Sequence, residues 1–215
     1  MTNNLYPALI SSIIETTITH PIDVIKIHKQ TFKPIAYTFK TLYSGFIPRA
    51  LGNIPSRTIF LFSQDYLHTY FNNNNKQTHS IIIPLCAGLS QTLVDTPVEV
   101  LKMNTIMKLK NTFLYKGFIP HFGRNFIFVL SVYNFKQLHF ENHNPYFHTA
   151  IYGAIGGMIG SYISHPLDTI KTCIQTNKPY KHLQIKDYFI GSNLRASMAL
   201  INMFISLYLF EIMKN

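Results

Sequence analysis

Three acids, each two residues after a proline and three before a lysine, are the groups in this chain best placed to do chemistry. The word Pro-x-acid-x-x-Lys occurs at Pro21, Asp23 and Lys26, at Pro97, Glu99 and Lys102, and at Pro166, Asp168 and Lys171. Its flank repeats as well, with His20 and His165 before the first and third prolines and Thr96 before the second. A proline inside a membrane helix removes a backbone donor and kinks the helix, which is tolerated where neighbouring groups re-satisfy the freed carbonyl. Charges beside such a kink are expensive in hydrocarbon, so they face the bundle interior and pair. Three equivalent kinks around a pseudo-threefold axis would close a ring between repeats: Asp23 with Lys102, Glu99 with Lys171, and Asp168 with Lys26. That ring is neutral and seals one end of a central cavity. In a wet, partly screened site each pair contributes little net, so the seal can open. One acid–lysine pair at i, i+3 would read as a solvated helix-end pair; three copies at matched depth read as a gate.

The elements that hold these words repeat with them. Leu42-Tyr43-Ser44-Gly45-Phe46-Ile47-Pro48 returns as Leu114-Tyr115-Lys116-Gly117-Phe118-Ile119-Pro120, and a degraded copy runs from Tyr188 through Gly191 to Leu194. Each unit holds one apolar segment running through the first word and another after the second. The periodicity predicts helices over 6–30, 50–71, 81–108, 121–140, 148–176 and 193–213, in repeats of approximately 1–73, 74–144 and 145–215 of a single 1–215 domain. Small residues precede the prolines (Ala8 and Ser12; Gly88; Gly153, Gly156, Gly157 and Gly160) and permit close helix packing.

Composition agrees with a small polytopic chain. The 215 residues are 47% apolar and 13% charged, with 14% aromatics and a net charge of +10, where soluble domains carry about 25% charged residues. This excludes a disordered or fibrous chain and argues against an ordinary cytosolic enzyme. Six helices of about 20 residues fit the length, and a mean hydropathy of +0.10 implies that one face of each is polar. The expected fold is thus an all-α membrane protein of six transmembrane helices in three tandem two-helix repeats around a central cavity. The connections within repeats are basic (Lys29, Lys33, Lys40; Lys108, Lys110, Lys116; Lys178, Lys181, Lys186), so they share one side, with both termini opposite. Cys86 and Cys173 sit in apolar stretches and suggest no disulfide framework. The first 22 residues lack Lys and Arg, so neither a signal peptide nor an Arg-rich transit peptide is visible.

Three Pro-x-[Asp/Glu]-x-x-[Lys/Arg] words, each followed by an aromatic-x-Gly-x-x-Pro-like word, resemble the mitochondrial carrier family over nearly the whole chain. The resemblance implies a monomeric carrier of the mitochondrial inner membrane that exchanges small metabolites by alternating access, without a cofactor. The charged ring would be its matrix gate, with Pro21, Pro97 and Pro166 as the kinks. The family's glutamine brace, four residues after the lysine, matches Gln30 and Gln175, whereas Ile106 cannot serve. The units are short for the family, mainly in the matrix loops. Of the words expected for a cytoplasmic gate, Phe210-Glu211-x-x-Lys214 fits, Gln64-Asp65-x-x-His68 is partial, and only a remnant remains near Lys136 and Gln137. The outer gate is therefore expected to be weak.

By the same resemblance, substrate contacts lie seven residues after the repeated glycine, at Gly52, Arg124 and Met198, together with neighbours Asn53, Asn125 and Arg195. An intramembrane arginine is a functional-site candidate in its own right, and its fork suits carboxylate or phosphate. Arg49 and Arg57 add positive potential or are structural. The arginine–asparagine pair resembles the family's carboxylate and keto-acid carriers, while the excess of cations would also suit nucleotides. Glu15 either lines the cavity or bonds a neighbouring helix.

His139, Glu141, His143 and His148 have loosely metal-like spacing without a cysteine partner and read as an interfacial cluster, so no metal is expected. The lysines gather between apolar helices, which favours contact with anionic lipid, such as cardiolipin, over nucleic acid. Two functions follow: a carrier for an anionic metabolite, or a transport-inactive carrier-like scaffold that binds a partner. Three paired charges, which a scaffold does not need, favour the first.

Overall fold

Each proline-containing segment has its own local solution in the computed structural model, which describes residues 5–72, 79–110, 112–136, 145–180 and 183–213. Helix α1 (Leu5–Gln30) runs through Pro21, and α4 (His79–Met107) runs through Pro84 and Pro97. Proline cannot donate to the carbonyl four residues back. In α1 that carbonyl belongs to Thr17 and receives the Tyr43 hydroxyl at 3.4 Å; in α4 it belongs to Leu93 and receives the Tyr115 hydroxyl at 3.3 Å. The third segment differs from the single helix expected over 148–176. It divides into α6 (Pro145–Ile163) and α7 (His165–Gln175), with Ser164 between them and Pro166 in the first turn of α7. The residue at the tyrosine's place, two before Gly191, is Phe189, which packs its ring on Tyr162 at 6.1 Å and has no hydroxyl to offer. A break that puts proline in a first turn, where its missing N–H is harmless, is the alternative solution.

The odd segments end alike. Phe32, Lys108 and Asn177, each six residues after the lysine of a proline word, take φ of +50°, +53° and +57°. The following amides reach back to the carbonyls of His28, Asn104 and Cys173 at 3.1, 2.9 and 2.8 Å, a left-handed cap that satisfies helix-end carbonyls. Glycine is the usual residue in such caps; here the sequence shows none. The connections are short: a single turn α2 (Phe39–Leu42), a four-residue turn at 114–117, and a 3-10 turn at Ile185–Phe189.

Gly45, Gly117 and Gly191, with φ of +76°, +77° and +84°, turn the chain into α3 (Phe46–Asn72), α5 (Phe118–Lys136) and α8 (Ser192–Met213). Each glycine rests on the proline-word lysine of another segment: Lys102, Lys171 or Lys26. A Cβ on Gly45 would stand 3.2 Å from the Lys102 carbonyl oxygen, one on Gly117 3.5 Å from that of Lys171, and one on Gly191 3.1 Å from Lys26 Cγ.

Neighbouring helices close a ring in the order α1, α3, α4, α5, α6 with α7, α8, and back to α1. Where α6 crosses α5, a Cβ on Gly160 would lie 2.7 Å from Ser131 Cβ, so the glycine permits the close approach. Polarity is inverted relative to a soluble protein. Buried positions include Glu15, Asp23, Lys26, Lys102, Asp168 and Lys171, while Ile10, Ile14 and Ile18 on α1 and Ile81, Leu85, Leu89 and Leu93 on α4 are exposed. Exposed apolar stripes around a charged interior are the signature of a helix bundle solvated by lipid. Among the described residues one helix, over Ile81–Met107, is long and apolar enough to cross a membrane by length and composition alone, at a mean hydropathy of 1.4. In α1 the inward-facing Glu15, Asp23 and Lys26 dilute the same measure.

Candidate functional site

The proline words bring their charges to one level inside the ring of helices. Lys102 Nζ lies 2.9 Å from Asp23 Oδ2, Lys171 Nζ lies 3.1 Å from Glu99 Oε2, and Lys26 Nζ lies 2.9 Å from Asp168 Oδ2. Each lysine also meets the acid of its own helix, at 2.9 Å for Lys102–Glu99, 3.4 Å for Lys26–Asp23 and 3.9 Å for Lys171–Asp168. Every lysine thus bridges two acids. The site is drier than the screened one that sequence suggests: Asp168 has no exposed side-chain surface and Lys171 has 2%, while Glu99 keeps 22%. In such a place, removing one partner strands a buried charge at about 3–5 kcal/mol. Exchanging one partner for another of like charge carries no such penalty.

The even helices add three arginines. Arg49 of α3 pairs with Asp23, Arg124 of α5 donates through Nη1 to Asp168 Oδ1 at 3.0 Å, and Arg195 of α8 stands 3.4 Å from the same oxygen. Arg49 and Arg195 both lie four residues after their repeated glycine, and His121 holds that place on α5. His121 is fully buried and accepts from Arg124 Nη2 on its Nε2 at 2.8 Å. An arginine can only donate, so the imidazole proton sits on Nδ1. It is given to Thr96 Oγ1 at 3.1 Å, and Thr96 in turn donates to the Thr92 carbonyl at 2.6 Å. Arg124 is further anchored on Asn125 Oδ1 at 2.7 and 3.0 Å, and Asn125 donates to Thr92 Oγ1 at 3.0 Å. On the other two repeats a histidine does different work: His20 and His165 donate through Nε2 to the carbonyls of Ser44 and Ile190, at 3.0 and 2.9 Å, just before the repeated glycines.

Above the ring is a cavity whose walls include Asn53, Arg124, Asn125, Arg195 and Met198, along with Arg49. Gly52 is not on that wall. It sits where α3 meets α4, and a Cβ there would collide with Val98 Cγ1, so its role is packing. Asn53 donates to Thr16 Oγ1 at 2.5 Å. Glu15 is buried on α1 and is not among the lining residues. Gln91 and Asn202 line the cavity with buried amide oxygens that lack a hydrogen-bond partner. Counting the described residues of ring and cavity together, six cations (Lys26, Arg49, Lys102, Arg124, Lys171, Arg195) meet four acids (Asp23, Asp95, Glu99, Asp168), an excess of two positive charges with all groups ionised.

Of the two glutamines, Gln30 donates to Asp168 Oδ2 at 3.1 Å and accepts from Thr172 Oγ1 at 3.1 Å, directly beside the Lys26–Asp168 pair. Gln175 donates to the Lys116 carbonyl at 3.2 Å. The side chains of Arg57, Asp65, His68 and Glu211, and residue Lys214, lie outside the described residues, as do Gln137, His139, Glu141 and His143. Among the described residues no group of three His, Cys, Asp or Glu side chains could hold a metal ion, and Cys86 and Cys173 are free thiols. The arginine partners of Asp23 and Asp168 are what sequence reasoning missed; the shared offset of Arg49 and Arg195 from the repeated glycine was the available signal.

Comparison with known proteins gives the same kind of molecule. Residues 142–214 match the family model described as mitochondrial carrier protein. The chain is 25% identical over 214 residues to the "Probable mitochondrial 2-oxodicarboxylate carrier" of Schizosaccharomyces pombe, covering 78% of this chain and 72% of the relative. It is 27% identical over 204 residues to "Mitochondrial carrier-like protein L276" of Acanthamoeba polyphaga mimivirus, covering 86% and 84%. It is 24% identical over 234 residues to the "Succinate/fumarate mitochondrial transporter" of Saccharomyces cerevisiae, covering 81% and 73%. With the inward charges and the apolar outer faces, these matches make the chain similar to the mitochondrial carrier family, whose model it matches over its last third.

Proposed function

We propose that this chain is a monomeric six-helix carrier of three two-helix repeats that exchanges a small dicarboxylate across the mitochondrial inner membrane by alternating access. The observation that carries the reading is the arginine set, Arg49, Arg124 and Arg195, poised on carboxylates at the floor of a cavity with two positive charges in excess. A dianion neutralises that excess. A nucleoside triphosphate would overshoot it, so the charge balance favours the dicarboxylate over the nucleotide. The names of the fungal relatives, which specify 2-oxodicarboxylates and succinate/fumarate, point the same way.

In this reading the three lysine–acid pairs between repeats are the matrix gate, Gln30 and Gln175 its braces, and Pro21, Pro97 and Pro166 the kinks that bring it together. Substrate entering from the open side meets Asn53, Arg124, Asn125, Arg195 and Met198. Parting the pairs between repeats leaves each lysine only the acid of its own helix, a costly loss of contact in so dry a site. The gate opens when the substrate supplies replacement contacts, which lowers the barrier between the two access states. The exposed isoleucines and leucines face acyl chains, and the basic connections face anionic headgroups such as those of cardiolipin.

A thermal-shift screen of the detergent-purified chain tests this. A ligand that binds the folded state raises its melting temperature with concentration. Succinate and 2-oxoglutarate are expected to stabilise the protein, with ATP and ADP giving smaller shifts. Stabilisation by nucleotides alone would overturn the substrate class. No shift with any solute, together with a stoichiometric co-purifying protein, would favour the scaffold instead.

A further inference from the structure

The three gate acids are not equivalent, and the difference lies in which of them an arginine holds. Asp23 is paired with Arg49, and Asp168 Oδ1 with Arg124 at 3.0 Å and Arg195 at 3.4 Å. Glu99 meets Lys102 and Lys171, and the place on α5 that matches Arg49 and Arg195 is filled by His121, which turns to Arg124. Among the described residues two acids, not three, are therefore tied by guanidinium groups to even helices.

We infer that Asp23 and Asp168 occupy, in the substrate-free carrier, the arginine sites that the two carboxylates of the transported dianion take over; this rests on the dicarboxylate reading above. Two further features support the exchange. Arg195 is more than nine-tenths buried, yet its Nη1 has no hydrogen-bond partner, being 3.4 Å from Asp168. It is a donor that a carboxylate arriving in the cavity can approach more closely. Neither aspartate is stranded when its arginines leave. Asp168 Oδ2 keeps Lys26 at 2.9 Å and Gln30 at 3.1 Å, and Asp23 keeps Lys102 at 2.9 Å and Lys26 at 3.4 Å. The swap conserves charge contacts while releasing α3, α5 and α8 from α1 and α7. The substrate thus unfastens the tethers from even helices to gate rather than attacking the gate pairs themselves.

A resident aspartate lowers the apparent affinity by the fraction of time that the arginines are occupied. Asp168→Asn and Asp23→Asn are therefore expected to lower the half-saturating concentration of succinate or 2-oxoglutarate about fivefold or more, measured by thermal-shift titration of the full chain. Glu99→Gln, which removes the same charge from the same ring, is expected to change it less than about twofold. Equal tightening in all three variants would reduce the effect to general electrostatics and overturn the inference, as would unchanged or weaker binding in the aspartate variants. If one aspartate variant does not fold, the other is compared with Glu99→Gln. If neither folds, infrared difference spectra of the unmodified protein with carbon-13-labelled succinate decide: a shift of the aspartate carboxylate band on binding supports the exchange, and an unperturbed band refutes it. Failure of the unmodified chain to bind either dicarboxylate would instead sink the substrate reading beneath it.

Discussion

Replacing Arg124 by alanine removes more than one contact, and the structure says how each should register. The guanidinium donates to Asp168 Oδ1 at 3.0 Å, to His121 Nε2 at 2.8 Å and to Asn125 Oδ1 at 2.7 and 3.0 Å. Asp168 retains Lys26, Gln30 and Arg195, so the fold loses about 1–3 kcal/mol rather than the full cost of a stranded charge. A substrate carboxylate loses one of two guanidinium partners, a charge-assisted contact of about 1.5–3 kcal/mol. At 1.4 kcal/mol per decade that is a weakening of about 10- to 100-fold. Arg124→Lys keeps the charge but not the fork that spans His121 and Asn125, and should fall between the two. Thermal-shift titration with succinate gives affinity, and the melting temperature without ligand gives stability separately. An alanine variant that folds and binds succinate within twofold of the unmodified chain would refute the assignment of Arg124 to the substrate.

Two further outcomes concern the frame. Alanine at Gly45 must adopt a φ of +76° and place its Cβ 3.1 Å from Ile106 Cγ1 and 3.2 Å from a carbonyl oxygen, whereas at Gly117 the nearest atoms stand 3.5 Å away. Gly117→Ala is expected to cost about 1–2 kcal/mol, for the left-handed backbone alone, and Gly45→Ala more; equal melting temperatures would contradict this. Tyr115→Phe leaves the Leu93 carbonyl without its hydroxyl and should destabilise the chain by about 1 kcal/mol, while Phe189→Tyr supplies a hydroxyl near the α6–α7 break and should not. The reverse order in thermal denaturation would remove the tyrosine account of the two unbroken helices.

The ring of lysines and acids is legible in the sequence because one word recurs at matched depth, and a cyclic arrangement leaves each lysine only a neighbouring acid to meet. Its burial was less legible, since the walls that dry Asp168 come from distant helices. Counting seven residues from each repeated glycine leads to Arg124, but it also lands on Gly52, whose neighbour Val98 belongs to another repeat and fills the space. Arg49 and Arg195 share an offset of four and thereby escape that count. The third odd segment breaks although its proline word equals the first, because the deciding difference is Phe189, twenty-three residues beyond Pro166. The caps at Phe32, Lys108 and Asn177 carry no glycine and so give no local sign.

Counter-exchange in vesicles tests the whole account most directly. Purified chain is reconstituted into liposomes containing cardiolipin and loaded with unlabelled 2-oxoglutarate, and uptake of external radiolabelled succinate is followed over time. Uptake that exceeds protein-free vesicles, depends on internal dicarboxylate and is lost in Arg124→Ala is the result expected of substrate-driven release of a charged gate. Uptake no greater than in protein-free vesicles, from a chain shown to be folded and inserted, would contradict it.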